Sequence, residues 1–165
     1  MLRSASAELL VGASCRDTKV NATDEISAAR VQEIYDDFAF GRLDRLSEVF
    51  DQDIDFISHA PTTFFPYLGK RHGRRDVLEA LTELHEKLQV TSIRLMSVLV
   101  ADDQAALTVL MDVTERRSSR KAQFFAAHFF RFRQGQIVSF CGIIDSLDVV
   151  RQLTAHRLDP FQGNS

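Results

Sequence analysis

The sequence predicts an α+β fold, with three helices in the N-terminal half packed on a curved, mainly antiparallel sheet and a short helix near the end. Two observations predict it. Helical periodicity with cap and stop residues fills the first half, interrupted by one strand-like run. From Thr91 the chain reads as four strands parted by short polar turns, a meander. Helices that precede a run of antiparallel strands share one face of the sheet. A chain of 165 residues fits a single domain, and a domain of that size buries a sizeable core without disulfides or structural metal.

Residues 1–22 read as a flexible extension, 23–157 as the folded domain and 158–165 as a loose tail. The apolar run of the extension, residues 7–13, is short and carries Glu8, a poor match to a secretory signal. Thr23 is the expected N-cap of the first helix, with Asp24 and Glu25 in its first turn. Val31, Ile34, Tyr35 and Phe38 then recur at helical spacing, and Gly41 stops the helix. Leu43, Leu46, Val49 and Phe50 form the stripe of a second, shorter helix. Residues 53–59 switch to strand alternation: Ile54, Phe56 and Ser58 on one face, Asp53, Asp55, Ile57 and His59 on the other. A long loop follows, with two prolines and the aromatics Phe64, Phe65 and Tyr67, folded over something rather than loose in water.

Residues 74–88 form a third helix with Val77, Leu78, Leu81, Leu84 and Leu88 facing inward. The meander runs 91–100, 105–115 and then the two halves of 121–145, joined at Gln134-Gly135. Asp145 or Ser146 caps a last helix carrying Leu147, Val150 and Leu153.

The stretch from Lys121 to Asp145 holds the chemistry. One face of its first strand reads Phe124, Ala126, His128, Phe130, Phe132: an apolar wall with one titratable group. A histidine there has its pKa lowered by desolvation and is neutral near pH 7. The opposite face, Phe125, Ala127 and Phe129, is also apolar, so both sides of the sheet need covering. One side takes the helices and a pocket, and the other a second copy of the chain in a homodimer. Asp112, amid apolar strand residues, belongs to a solvated strand face or a pocket rim. The run Lys70–Arg75 is a solvated loop or an anion-binding helix start.

Other function classes are excluded. A net charge of −3 gives no basic footprint for nucleic acid. No apolar run approaches the roughly 20 residues that span a bilayer. The five histidines lack the spacing of a metal site, no phosphate-binding glycine pattern occurs, and no metal or cofactor is expected. Two cysteines, Cys15 and Cys141, suit a reducing, cytoplasmic setting.

The element order, together with GRLDRLSEVFDQDIDFISHAP, HGRRDVLEAL, HFFRFRQGQIVSF and IIDSLDVVRQL, resembles the nuclear-transport-factor-2-like superfamily, in particular its SnoaL-like and ketosteroid-isomerase-like proteins. The resemblance spans about residues 24–155. It implies a cone-shaped, cystatin-like α+β roll with a ligand pocket in its open end. In the isomerases one acid ends the first strand, just before a proline, and here that run reads Ser58-His59-Ala60-Pro61. A second acid precedes the Phe-x-Phe of the fourth strand, and counting back from Phe130-Arg131-Phe132 gives His128. Tyr35 matches a first-helix tyrosine that contributes a hydroxyl. Histidines thus stand where the isomerases carry acids.

The resulting expectation is a pocket for a small apolar or aromatic molecule, with Phe38, Asp55, Phe64, Phe65, Tyr67, Asp112 and Phe130 as ligand contacts. His128 and His59 exchange protons with the ligand and Tyr35 stabilises its oxygen. This makes an isomerase, a polyketide-cyclase-like lyase or a dehydratase. The other reading is a non-catalytic binding or dimerisation module of the same fold.

Overall fold

A computed structural model describes residues 26–154. The expected extension, 1–22, and tail, 158–165, lie outside them, as do Thr23, Asp24 and Glu25. Helix α1 (Ala28–Ala39) is capped by Ser27, whose Oγ accepts the Arg30 N–H at 3.2 Å. The start therefore falls later than the Thr23 cap. Ile26, just before the cap, and Val31, in the fourth helical position, are both buried in the core. Such a pair brackets a helix start as a hydrophobic staple.

Gly41, at φ 65°, turns the chain into α2 (Leu43–Val49). The buried Asp37 carboxylate secures that turn, accepting from Arg42 Nε at 2.6 Å with Arg45 at 3.6 Å. A buried carboxylate persists only when charges and donors meet it.

Strand β1 (Phe50–Ser58) begins earlier than the alternation suggests, because Phe50 is already extended. A short strand that the sequence reading treated as loop, β2 (Lys70–His72), pairs antiparallel with it. The basic run thus divides between this edge strand and the start of α3 (Arg74–Lys87). Arg71 bonds the carbonyls of Pro66 and Tyr67, and Arg74 that of Phe50, so these cations pin backbone. Then come β3 (Leu88–Ala101), β4 (Gln104–Glu115), β5 (Lys121–Arg133), β6 (Gln136–Ile144) and α4 (Ser146–Leu153). Asp145 caps α4, its Oδ1 accepting the Asp148 N–H at 3.1 Å.

The sheet order is β2-β1-β6-β5-β4-β3. The meander is antiparallel as expected, and β1 joins β6 in parallel. Gln134 and Gly135, at φ 50° and 75°, make the tight β5–β6 turn, the geometry that matches strand twist. Even-numbered residues of β5 from Ala122 to Phe132 are buried under the helices, and Phe125 and Phe129 point the other way. This is the α+β cone expected from the sequence: helices against one face of a curved, mixed and mostly antiparallel sheet.

Ile54 is fully buried in β1. Ile54→Ala is expected to lower unfolding free energy by about 2–5 kcal/mol, and Ser27→Ala by about 1 kcal/mol. Urea unfolding followed by circular dichroism measures both.

Candidate functional site

The concave face of the sheet, α1, α3 and the 59–69 loop enclose a chamber of about 140 Å³. Its lining is almost entirely hydrocarbon, from Ile34 and Phe38 on α1 through Leu81 and Leu84 on α3 to Phe124, Phe130 and Phe140 on the sheet. Three side chains among the lining residues carry polar groups able to meet a ligand: Tyr35, Ser58 and His128. Among the described residues, none of the lining side chains is a lysine, arginine, aspartate or glutamate.

Tyr35 and His128 meet across the chamber. Tyr35 lies on the inward stripe of α1, and His128 at the middle of β5, between Leu107 on β4 and Gly142 on β6. The Tyr35 hydroxyl and His128 Nδ1 share a buried hydrogen bond, and the two rings stack 10° from parallel with centroids 5.8 Å apart. Burial pushes the Tyr35 phenol well above its ordinary value. It lowers His128 from 6.5 to about 4. Both directions disfavour charge in a desolvated site, so the pair is neutral at pH 7. Which partner donates depends on the histidine tautomer. Nε2 has no partner among the described residues, which makes it the atom available to a ligand.

The other expected site residues divide. Phe38, Phe65 and Phe130 line the chamber. Tyr67 is buried but packs edge-on against Phe65 at 6.3 Å, outside the lining, and burial raises its hydroxyl to about 12. Phe64 is exposed.

His59 is a correction. It is exposed and lies outside the lining, so it cannot exchange protons with His128 in one cavity. Strand β1 ends at Ser58, and His59 N–H continues the pairing by donating to the Gly142 carbonyl at 2.7 Å. Alternation then turns Ser58 inward and His59 outward. Asp55 shares the outward face and is exposed, paired with His72 Nδ1 at 2.9 Å, which raises the His72 pKa. Asp112 also faces outward, accepting from Gln123 Nε2 at 2.6 Å with Arg94 at 3.7 Å. Neither carboxylate reaches the chamber. Ser58 is the polar lining residue that site reasoning from the sequence passed over, along with apolar ones such as Ile34, Phe56 and Phe140, although its alternation with Ile54 and Phe56 placed it on the inner face. Among the described residues, no group of three or more metal-ligating side chains occurs.

The depressed His128 pKa carries a stability consequence. The unfolded chain binds a proton at 6.5 that the folded chain accepts only near 4. Stability from this group is therefore complete above pH 6.5 and is lost as pH falls toward 4, by up to about 3 kcal/mol. Comparing urea midpoints of wild type and His128→Gln from pH 7.5 to 4 isolates this contribution. The wild type is expected to lose more.

Comparison with known proteins supplies the family. No curated protein matches the chain. A Rhodopseudomonas palustris protein provisionally named an isomerase superposes with TM-score 0.73 at 23% identity, over 79% of this chain and 100% of that one. A Catenulispora acidiphila protein with a ketosteroid-isomerase-like fold, solved with trimethylamine, gives 0.66 at 14%, over 78% and 94%. An M. tuberculosis epoxide hydrolase gives 0.63 at 11%, over 76% and 86%. At such identities these likenesses speak for the fold alone. The model of the SnoaL-like domain matches residues 31–140, well over half of the sequence and nearly all of the cone, and the chain belongs to the SnoaL-like family of the nuclear-transport-factor-2-like fold.

Proposed function

We propose that this protein binds a small, uncharged, largely apolar molecule through one carbonyl or hydroxyl oxygen at His128, and transfers a proton on it. The reaction class is isomerisation, aldol-type cyclisation or dehydration. One observation carries the reading: a neutral Tyr35–His128 pair as the polar head of a hydrocarbon-lined chamber. Pockets with few convergent polar groups and a perturbed titratable residue are the default for ligand binding. The chamber of about 140 Å³ compares with the apolar cavity of about 150 Å³ that admits benzene, so one six-membered ring matches it. With Nε2 protonated, His128 donates to a ligand oxygen. With Nε2 bare, it accepts a proton, and Tyr35 steadies Nδ1.

A second reading, binding without turnover, is favoured by the same low pKa. A base near pKa 4 is weak at neutral pH, and with His59 outside, His128 is the one imidazole among the described residues that line the chamber. Membership of the SnoaL-like family, whose solved structural neighbours include proteins named as enzymes, is compatible with both readings. The setting we assign is the cytoplasm, with Cys141 as a free thiol.

The partner we assign for the outer face of the sheet is a second copy of the chain. Leu99, Phe125, Ile143 and Phe129 are 71%, 56%, 47% and 46% exposed on that face. Leu99, Ala106, Phe129 and Cys141 form one row across β3 to β6. Such a contiguous apolar patch is unusual on an isolated soluble chain.

A thermal-shift screen of small ketones, lactones and phenols tests the ligand reading. Affinity for the hits is expected to fall roughly tenfold in His128→Gln and in Tyr35→Phe, while His59→Ala leaves it unchanged. Any turnover of a hit disappears in His128→Gln. Hits indifferent to both substitutions refute the reading, and binding without product selects the non-catalytic form. For the partner, light scattering is expected to give two chains for wild type and one for Phe125→Glu/Ile143→Lys.

A further inference from the structure

We infer that Ser58 is a second polar contact of the chamber, and that the ligand class is a neutral ring or short chain with two oxygens, one held by His128 and the other by Ser58. The inference rests on the chamber reading above and narrows it. Ser58, Gly142 and His128 stand in register on β1, β6 and β5, so the serine and the histidine flank a glycine on one inner wall. Their backbones are two strand spacings apart, roughly 9.6 Å. The Cδ2 edge of the imidazole, next to Nε2, leans over that glycine: a methyl group at Gly142 would stand 3.2 Å from Cδ2. It would stand 3.0 Å from the ring edge of Phe140, which leans over the same residue. The wall therefore offers an aromatic floor with a polar group at each side.

The Ser58 hydroxyl has spare capacity. Its oxygen accepts one long hydrogen bond, from the Ala60 N–H at 3.4 Å, and its proton has no side-chain acceptor among the described residues. A hydroxyl donates once and accepts twice. Nε2 of His128 is the other open position. With hydrocarbon elsewhere in the lining, an oxygen placed away from these two positions would lose its water without replacement. An anionic second group is disfavoured for the same reason, since among the described residues no cation lines the chamber.

Isothermal titration with cyclohexanone and 4-hydroxycyclohexanone tests this directly. Wild type is expected to bind the hydroxyketone about fivefold more tightly than the ketone, the worth of one additional hydrogen bond. Ser58→Ala is expected to abolish that preference while changing ketone affinity less than twofold. Ser58→Thr, which keeps the hydroxyl, retains it. His128→Gln weakens both ligands. Equal affinities in wild type, or a preference that survives Ser58→Ala, overturn the Ser58 assignment and leave the Tyr35–His128 reading standing. Failure of wild type to bind either compound overturns both. Circular dichroism of each variant separates lost binding from lost folding.

Discussion

The hydrogen bond between Tyr35 and His128 joins the first helix to the middle of the sheet, inside a space with almost no other polar atoms. An unpaired phenol or imidazole there would lose its water and gain nothing, at a cost of about 1–3 kcal/mol each. Making the pair avoids that cost, and it fixes how far α1 stands from β5. That distance is the height of the chamber. The same desolvation moves the two pKa values in opposite directions and keeps both groups neutral. One contact thus sets the shape of the chamber and its charge.

The chamber also depends on a sheet that is apolar on two faces. Inward, Phe124, Ala126, His128, Phe130 and Phe132 lie beneath helices whose stripes supply Val31, Ile34, Val77 and Leu81. Ala126 of this wall is packed into the core, whereas Phe124, His128 and Phe130 line the hollow that the core does not fill. Gly142 extends it, since a side chain there would collide with Phe140 and crowd His128. Outward, the same strands present Phe125, Phe129 and Ile143 to the surface. Contiguous apolar surface of this kind is unusual on an isolated soluble chain, which is the ground for the proposed partner.

Much of this was legible in the sequence, because period and punctuation are local. The helices, the meander, the Gly41 and Gln134-Gly135 turns and the Asp145 cap all follow from residues within a few positions of one another. His128 was legible for the same reason, as one polar residue in an alternating apolar strand. The errors came where a tertiary partner decides. Strand β2 is three residues long and exists because Asp55, Phe56 and Ile57 of β1 offer it an edge. Ser27 rather than Thr23 caps α1, with the buried Ile26 and Val31 on either side of that start. For His59, analogy with an acid at the strand end overrode the alternation of β1. That alternation had put His59 opposite Ile54 and Phe56 and had put Ser58 with them. The elementary period was the better guide, because after a register shift between Phe50 and Asp55 the pairing with β6 runs unbroken from Asp55 to Ser58.

What remains is a single histidine whose surroundings suit it better to holding an oxygen than to stripping a carbon. Burial makes its protonated form unfavourable, so a proton taken from the ligand must be returned quickly or passed on. Among the described residues no carboxylate lines the chamber to receive it, and Tyr35 is a still weaker acid than free phenol. Such a base can act on a C–H only when the ligand itself has made it acidic, through a carbonyl polarised at the same site. Nε2 offers one of these roles at a time: bare, it takes the proton, and once protonated it donates to the ligand oxygen, so the proposed chemistry uses the two in turn. Tyr35, able to donate to Nδ1 or accept from it, permits both forms without moving a heavy atom. In the proposed function, the ligand's own oxygen, as acceptor or donor, selects which form the pair adopts.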